Sequence, residues 1–361
     1  MTGKGNASFE KLLGQYDWQI PGELIAQKPA SPRDSARLLV GWKNRPESAE
    51  DTFLNLDKYL PFGAVLVFNN TKVIPARLTL QKETGGQVRV LYLDHDKNMI
   101  RVLADRPVVP GMKLIIPHHP VFSFVVFQKS GKYVFLKPSF AIAKFPALLK
   151  QFGSMPIPPY IKSHTMTESE LRKQYQTVFA KRNGSVAAPT ASLHFTKRLL
   201  AKLARKHFQL CYVTLHVNLG TFSPLVPEQV RHGKLHQEYY EIDHKTARIL
   251  HQAKKEGRPI IAVGTTVVRT LESAAGKDRQ IKRLSGATDL FIREGYRFKF
   301  IDGMITNFHV PKSSLLMLVA AFIGKEKLRG LYKKAIAERF KFFSFGDGML
   351  LLPNKRAYSG E

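Results

Sequence analysis

The spacing of apolar residues changes twice along the chain and divides it into three zones. Up to about Lys72 there is an extended segment at 16–20, a loop rich in proline and arginine, a strand-like stretch at 38–40 and a buried-type strand at 64–68. From Val73 to Met155 the apolar runs are short, which predicts strands over 87–93, 99–104, 112–116, 121–127 and 132–136. Turn signals separate them at Gly85-Gly86, Asp94-His95-Asp96, Pro110-Gly111 and Ser130-Gly131, the punctuation of an antiparallel meander or barrel. The proline-rich stretch 155–160 closes this zone.

Beyond Tyr160 helical and strand patterns alternate. Thr196 is placed to cap a helix over 197–207 whose Leu199, Leu200 and Leu203 share a face. A strand at 211–216, a helix at 246–256, a strand at 260–264 and a helix at 267–274 follow, with closing helices near 313–323 and 325–340. The expected fold class is mixed α/β: a main domain from 1–72 and 156–361, interrupted by a small antiparallel β-barrel domain at 73–155.

Composition sharpens this picture in two respects. Lys and Arg number 56 against 28 acidic residues, a formal charge of +28, and no basic tail concentrates the excess. Counterion release gives such a surface sequence-independent affinity for a phosphate backbone, so nucleic acid is the expected partner, with general solubility as the bland alternative. The single cysteine, Cys211, excludes an internal disulfide framework and fits a reducing compartment. No segment at the start reads as a secretory signal, and the apolar run at 315–323 falls well short of the roughly 20 residues of a membrane span. A cytoplasmic, membrane-free protein is expected.

Several segments carry more polar chemistry than packing needs. Arg33, Asp34 and Arg37 share one loop, where a loop ion pair competes with ligand binding as the explanation. The strand at 64–68 ends in Asn69, Asn70, Thr71 and Lys72, with Arg77 soon after; amides there either make a turn or read a base edge or cosubstrate. The small-residue stretch 185–196 contains Thr190 and His194, and its lack of bulk lets a ligand approach the backbone. His216, His236 and Glu238 lack the spacing of a zinc motif, so acid–base work or a hydrogen-bonded scaffold is the better reading and no metal is expected. Gly264, Thr265 and Thr266 lead into a helix carrying Arg269, and such an amino terminus offers free amides to an anion. Finally Asp302, Asn307, His309 and Lys312 sit in a polar stretch between two apolar ones.

Taken together, 33–40, 68–77, 186–196, 213–222, 263–273, 305–318 and 342–347 resemble the S-adenosylmethionine:tRNA ribosyltransferase-isomerase family of queuosine biosynthesis, over roughly Tyr16 to Leu351. The resemblance implies an α/β domain interrupted by a β-barrel. It implies an enzyme that transfers and isomerises the ribosyl part of S-adenosylmethionine onto 7-aminomethyl-7-deazaguanine at the tRNA wobble position, giving epoxyqueuosine and releasing adenine and methionine. S-adenosylmethionine is then a cosubstrate, tRNA the partner, no prosthetic group is needed, and a monomer is expected. Departures occur: Asn218 and Ser192 stand where the family more commonly has glycine, Val268 where it has serine, and Ala287 where a bulkier or acidic residue precedes Thr288. The segment 41–51 reads as a variable surface loop.

In that chemistry the sulfonium acidifies the neighbouring 5′ carbon, so a base removes a proton while a general acid assists adenine. The candidates are His194, His216, His236, Glu238, Asp302 and His309. Arg33, Arg37, Lys72, Arg77, Arg269 and Lys312 are candidate cations for phosphate or carboxylate, and Tyr175, Phe195 and Phe308 candidate walls for a stacked base. The rival readings are an RNA-binding protein without catalysis and an RNA methyltransferase; the second lacks the expected glycine-rich nucleotide loop.

Overall fold

The computed structural model describes residues 3–162, 165–217 and 224–353. Its frame is a nine-stranded mixed sheet, in the order Ser285–Leu290, Lys234–Glu241, Gln209–Leu215, Val65–Asn69, Ile260–Val263, Gly303–Asn307, Gly348–Leu352, Arg37–Trp42 and Ser48–Thr52. The four strands from Gln209–Leu215 to Gly303–Asn307 run parallel to one another. Three of them are buried at every position, as expected of parallel strands covered on both faces. Alternation sorts their side chains: Val65 and Val67 join the core under the helices His244–Lys255, Thr265–Ala274, Ser314–Ile323 and Lys325–Ala337. Leu66 and Phe68 point the other way, onto Leu199 and Leu203 of helix Lys197–Arg205.

Side-chain caps start several of these helices. The Thr196 hydroxyl accepts from the Leu199 amide at 3.2 Å, Asp243 from Thr246 at 2.6 Å, and Ser313 from Leu316 at 3.3 Å. Helix Thr265–Ala274 begins earlier than the apolar spacing predicts, which puts Thr265 and Thr266 in its first turn.

The inserted unit is a closed antiparallel barrel with strand order Tyr133–Pro138, Ile100–Ala104, Gln87–His95, Arg77–Lys82, Lys113–Ile116 and His119–Ser130. Inward positions such as Leu80, Val88, Ile100, Leu114, Phe124 and Val134 fill it, and Phe145 and Leu149 of helix Phe145–Phe152 pack against the same core. A mixed α/β fold with an antiparallel barrel is therefore what the chain adopts.

Other details differ from the sequence reading. Segment 41–51 is not a surface loop: its start continues strand Arg37–Trp42, and Ser48–Thr52 returns as an antiparallel edge strand. The stretch 16–20 joins no ladder: Tyr16 closes a turn, its amide on the Leu13 carbonyl at 2.9 Å, and a helix, Gly3–Gly14, precedes it. Strand Arg77–Lys82 completes the barrel. No helix among the described residues is long and apolar enough to cross a membrane.

Candidate active site

Because four neighbouring strands run parallel, their carboxyl ends arrive at one edge of the sheet, where ligands of open α/β sheets bind. The ends are Asn69, Leu215, Val263 and Asn307. Across them passes the loop 185–195, pinned by the Val186 amide on the Val217 carbonyl at 2.9 Å and the Val217 amide on the Ser185 hydroxyl at 3.0 Å. Between loop and sheet lies a cavity of about 260 Å³. Thr190, Gly264, Thr265, Thr266, Asn307, His309 and Lys312 all line it, so seven residues from three separate polar segments meet there.

The wall is mainly apolar, with Ala188, Ala191, Val217, Phe308, Val310, Leu315 and Phe343. The His309 Nε2 lies 2.7 Å from the Thr306 hydroxyl, and its amide donates to the Tyr332 hydroxyl at 2.6 Å. Burial pushes its imidazole down to about 4, so it is neutral at physiological pH. Lys312 carries an ion pair to Asp17 at 2.9 Å. Lys312 and Phe343 both hold left-handed backbone, φ 56° and 71°, which non-glycine residues adopt uncommonly.

Two candidates stand directly behind this wall. Asn69 is fully buried; its amide nitrogen reaches the Leu215 carbonyl at 2.9 Å and the Thr266 hydroxyl at 3.3 Å. His194 stacks on Phe53, ring centroids 4.1 Å apart, with its Nε2 3.4 Å from the Asn307 amide nitrogen. Burial, helped by the charge of Arg33, pushes His194 down to about 3. His194 itself is not among the lining residues and touches the cavity wall at Asn307.

Most of the remaining candidates are held elsewhere by bonds to other parts of the fold. Thr71 bonds His216 Nδ1 at 2.8 Å, and the Asn70 carboxamide accepts from Thr214 at 2.7 Å. Burial lowers both His216 and His236. Arg33 donates to the Gln176 carbonyl at 2.7 Å and the Gln174 carbonyl at 2.9 Å, closing the end of helix Glu168–Gln174. Asp34 is buried between Arg198, at 2.6 Å, and Thr196, at 2.5 Å; burial alone raises its carboxyl, but those bonds outweigh it and hold it below the ordinary range. Arg37 joins Glu50 at 2.8 Å and lies 3.8 Å over the Phe340 ring. Glu238 and Arg269 form a buried ion pair beside Leu315. Asp302 accepts from Lys254 at 2.6 Å at the opposite, amino end of strand Gly303–Asn307, about 15 Å of strand from the cavity. Lys72 is exposed.

Residues 13–351 match the family described as queuosine biosynthesis protein. The S-adenosylmethionine:tRNA ribosyltransferase-isomerase of Carboxydothermus hydrogenoformans is 45% identical over 343 residues, 94% of this chain and 99% of that one. The protein of the same name from Aquifex aeolicus is 43% identical over 344 residues, with the same shares. The chain belongs to the S-adenosylmethionine:tRNA ribosyltransferase-isomerase family. A crystal structure of S-adenosylmethionine tRNA ribosyltransferase from Thermotoga maritima agrees, with a TM-score of 0.54 at 33% identity, over 94% of this chain and 100% of that one.

In this family member the sequence reading overlooked Tyr160 and Ser344, which face the cavity and bond each other at 2.8 Å; burial pushes the Tyr160 phenol up to about 12. They come from the proline-rich stretch 155–160, which closes the barrel zone, and from 342–347, which carries the family resemblance without an assigned role. Of the stacking candidates Phe308 reaches the cavity, whereas Phe195 packs between Phe53 and Phe68 and Tyr175 against Phe345. Of the departures, Val268 is core, Ala287 is exposed, and Ser192 is buried with its hydroxyl unpartnered among the described residues. Asn218 lies outside the described residues, in the stretch 218–223 between the cavity-lining Val217 and Pro224.

Proposed function

We propose that this chain transfers and isomerises the ribosyl group of S-adenosylmethionine onto 7-aminomethyl-7-deazaguanine in the wobble position of tRNA, forming epoxyqueuosine. The observation that carries the proposal is identity of 43–45% along nearly the whole length of enzymes bearing that name. The cavity supports it: it offers a helix amino terminus for an anion, an apolar wall for a flat base, and a neutral imidazole.

Among the acid and base candidates His309 alone lines the cavity, so we assign it proton transfer with the substrate. A neutral imidazole accepts the acidified 5′ proton of the sulfonium substrate; the electron pair released opens the ribose ring, and adenine departs. Loss of adenine leaves C1′ as an aldehyde; the aminomethyl nitrogen gives up a proton as it adds to C4′ of the vinyl sulfonium, the ylide carbon C5′ so formed bonds to C1′ and closes the carbocycle, and the resulting alkoxide displaces the sulfonium at C5′, closing the epoxide and releasing methionine. The neutral state of His309 across the physiological range suits the first step. Incubation with S-adenosylmethionine and tRNA carrying the deazaguanine should release free adenine in step with epoxyqueuosine. Methylated tRNA with S-adenosylhomocysteine would overturn this assignment, as would binding without turnover.

A second groove, of about 680 Å³, runs between the barrel and the segment Ile157–Lys162, and Pro159 lines both it and the inner cavity. Arg77, Arg89 and Lys162 face it. We read it as the bed of the anticodon loop, from which an unstacked base reaches the cavity. Joint replacement Arg77→Ala and Lys162→Ala is expected to weaken tRNA binding and to lower the slope of log affinity against log salt by about 1 to 2, without changing affinity for S-adenosylmethionine. Filter binding between low and moderate salt tests this; an unchanged slope removes the groove from the tRNA path.

A further inference from the structure

Asn307 is 2% exposed and lines the cavity, and its carboxamide oxygen has no hydrogen-bond partner among the described residues. Its orientation is not free. The amide nitrogen donates to the Phe343 carbonyl at 3.0 Å, and a carbonyl can only accept, so nitrogen and oxygen cannot be exchanged. The second N–H of the same group faces His194 Nε2 at 3.4 Å, a ring nitrogen that serves as acceptor in the neutral imidazole. Both donors are therefore engaged, and the oxygen is left as a buried acceptor without a partner among the described residues, on a residue that lines the cavity.

On the neighbouring strand a second unsatisfied group faces the same cavity. Helix Thr265–Ala274 starts at Gly264, whose carbonyl takes the amides of Val267 and Val268 at 3.1 and 3.2 Å. The amides of Thr265 and Thr266 have no acceptor among the described residues, as the first turn of a helix dictates. Strands Ile260–Val263 and Gly303–Asn307 are hydrogen-bonded neighbours, with Val263 opposite Ile305, so the helix start and Asn307 lie about one strand spacing, roughly 5 Å, apart. Free donors beside a free acceptor at that separation suit a ligand whose anion and ammonium sit on one carbon.

Resting on the function proposed above, we infer that this corner holds the amino-acid end of S-adenosylmethionine, its carboxylate on the Thr265 and Thr266 amides and its ammonium on the Asn307 carboxamide oxygen. Asn307 is then a specificity-determining residue, and His194 a positioning residue that keeps the amide turned. The exocyclic amine of adenine is the competing donor for the same oxygen.

Calorimetric titration separates them, using S-adenosylmethionine, its decarboxylated analogue and its deaminated analogue. The wild-type chain should bind each analogue at least tenfold more weakly, the scale of one hydrogen bond to a charged group. Asn307→Leu should bind S-adenosylmethionine about as weakly as the deaminated analogue, yet still disfavour the decarboxylated one. Asn307→Asp, which keeps an acceptor, should retain the amine preference and shows that loss in the leucine variant is not misfolding. Persistence of the amine preference in Asn307→Leu overturns the assignment, as does loss of affinity for free adenine in place of it. A wild-type chain that binds all three ligands equally sinks the assignment alone, whereas one that binds none of them sinks the proposed function with it.

Discussion

Arg269→Met is expected to destabilise the fold by about 3–5 kcal/mol, the scale for stranding one member of a buried ion pair. Its guanidinium pairs with Glu238, with side-chain exposures of 7% and 1%, and also donates to the Leu290 carbonyl at 3.2 Å and the Thr288 carbonyl at 3.3 Å. The pair thus ties helix Thr265–Ala274 to two antiparallel strands that extend the sheet beyond Gln209–Leu215. Removing the cation takes that counter-charge away from a buried carboxylate. Replacing both, as Arg269→Met with Glu238→Leu, should restore much of the loss, because the desolvation of the charges disappears along with their attraction. Urea unfolding of the four chains of this cycle measures the coupling. Single variants within about 1 kcal/mol of wild type, yet without turnover, would return Glu238 and Arg269 to the chemistry that their residue types first indicate.

That ambiguity explains where sequence reading stops. A charged residue amid apolar neighbours is either a ligand contact or half of an ion pair, and the deciding partner is remote: Asp34 meets Arg198 164 positions away, and Glu238 meets Arg269 31 positions away. The barrel was legible because its strands alternate cleanly, as in Val88 and Val90 buried between exposed Gln87 and Arg89. The strand Lys234–Glu241 escaped notice since only Glu238 and Tyr240 are buried in it, and the edge strand Ser48–Thr52 has no fully buried residue at all. Edge strands need little apolar pattern when one side faces water. The cavity was half legible: Gly264–Thr266 and Asn307–Lys312 stand out as polar groups ending apolar strands, whereas Tyr160 and Ser344 reach it from loops whose meeting depends on tertiary packing.

Lowering the pH from 6.5 to 4.5 is expected to remove up to about 5 kcal/mol of stability through His194 and His309, each pH unit contributing at most about 1.4 kcal/mol per group. Burial, the leading cause for both, sets their folded values at about 3 and about 4, below the roughly 6.5 of an unfolded histidine. In that window the unfolded chain binds more protons than the folded one, so the stabilisation is complete above 6.5 and is lost as the pH falls. His216 and His236, lowered by burial too, act in the same direction. The carboxylates of Asp34, Glu50, Asp51 and Asp57, held low by their partners, lose their contribution only below about 4, outside the window. Asp347, raised by burial, opposes the trend in part. Denaturant unfolding at the two pH values should show the drop in wild type and a smaller one in His194→Gln and His309→Gln; equal drops in all three would refute the assignment. Protonation of His194 has a further consequence: Nε2 becomes a donor facing the donor nitrogen of Asn307, so cosubstrate affinity should fall along with stability as the acid limit is approached.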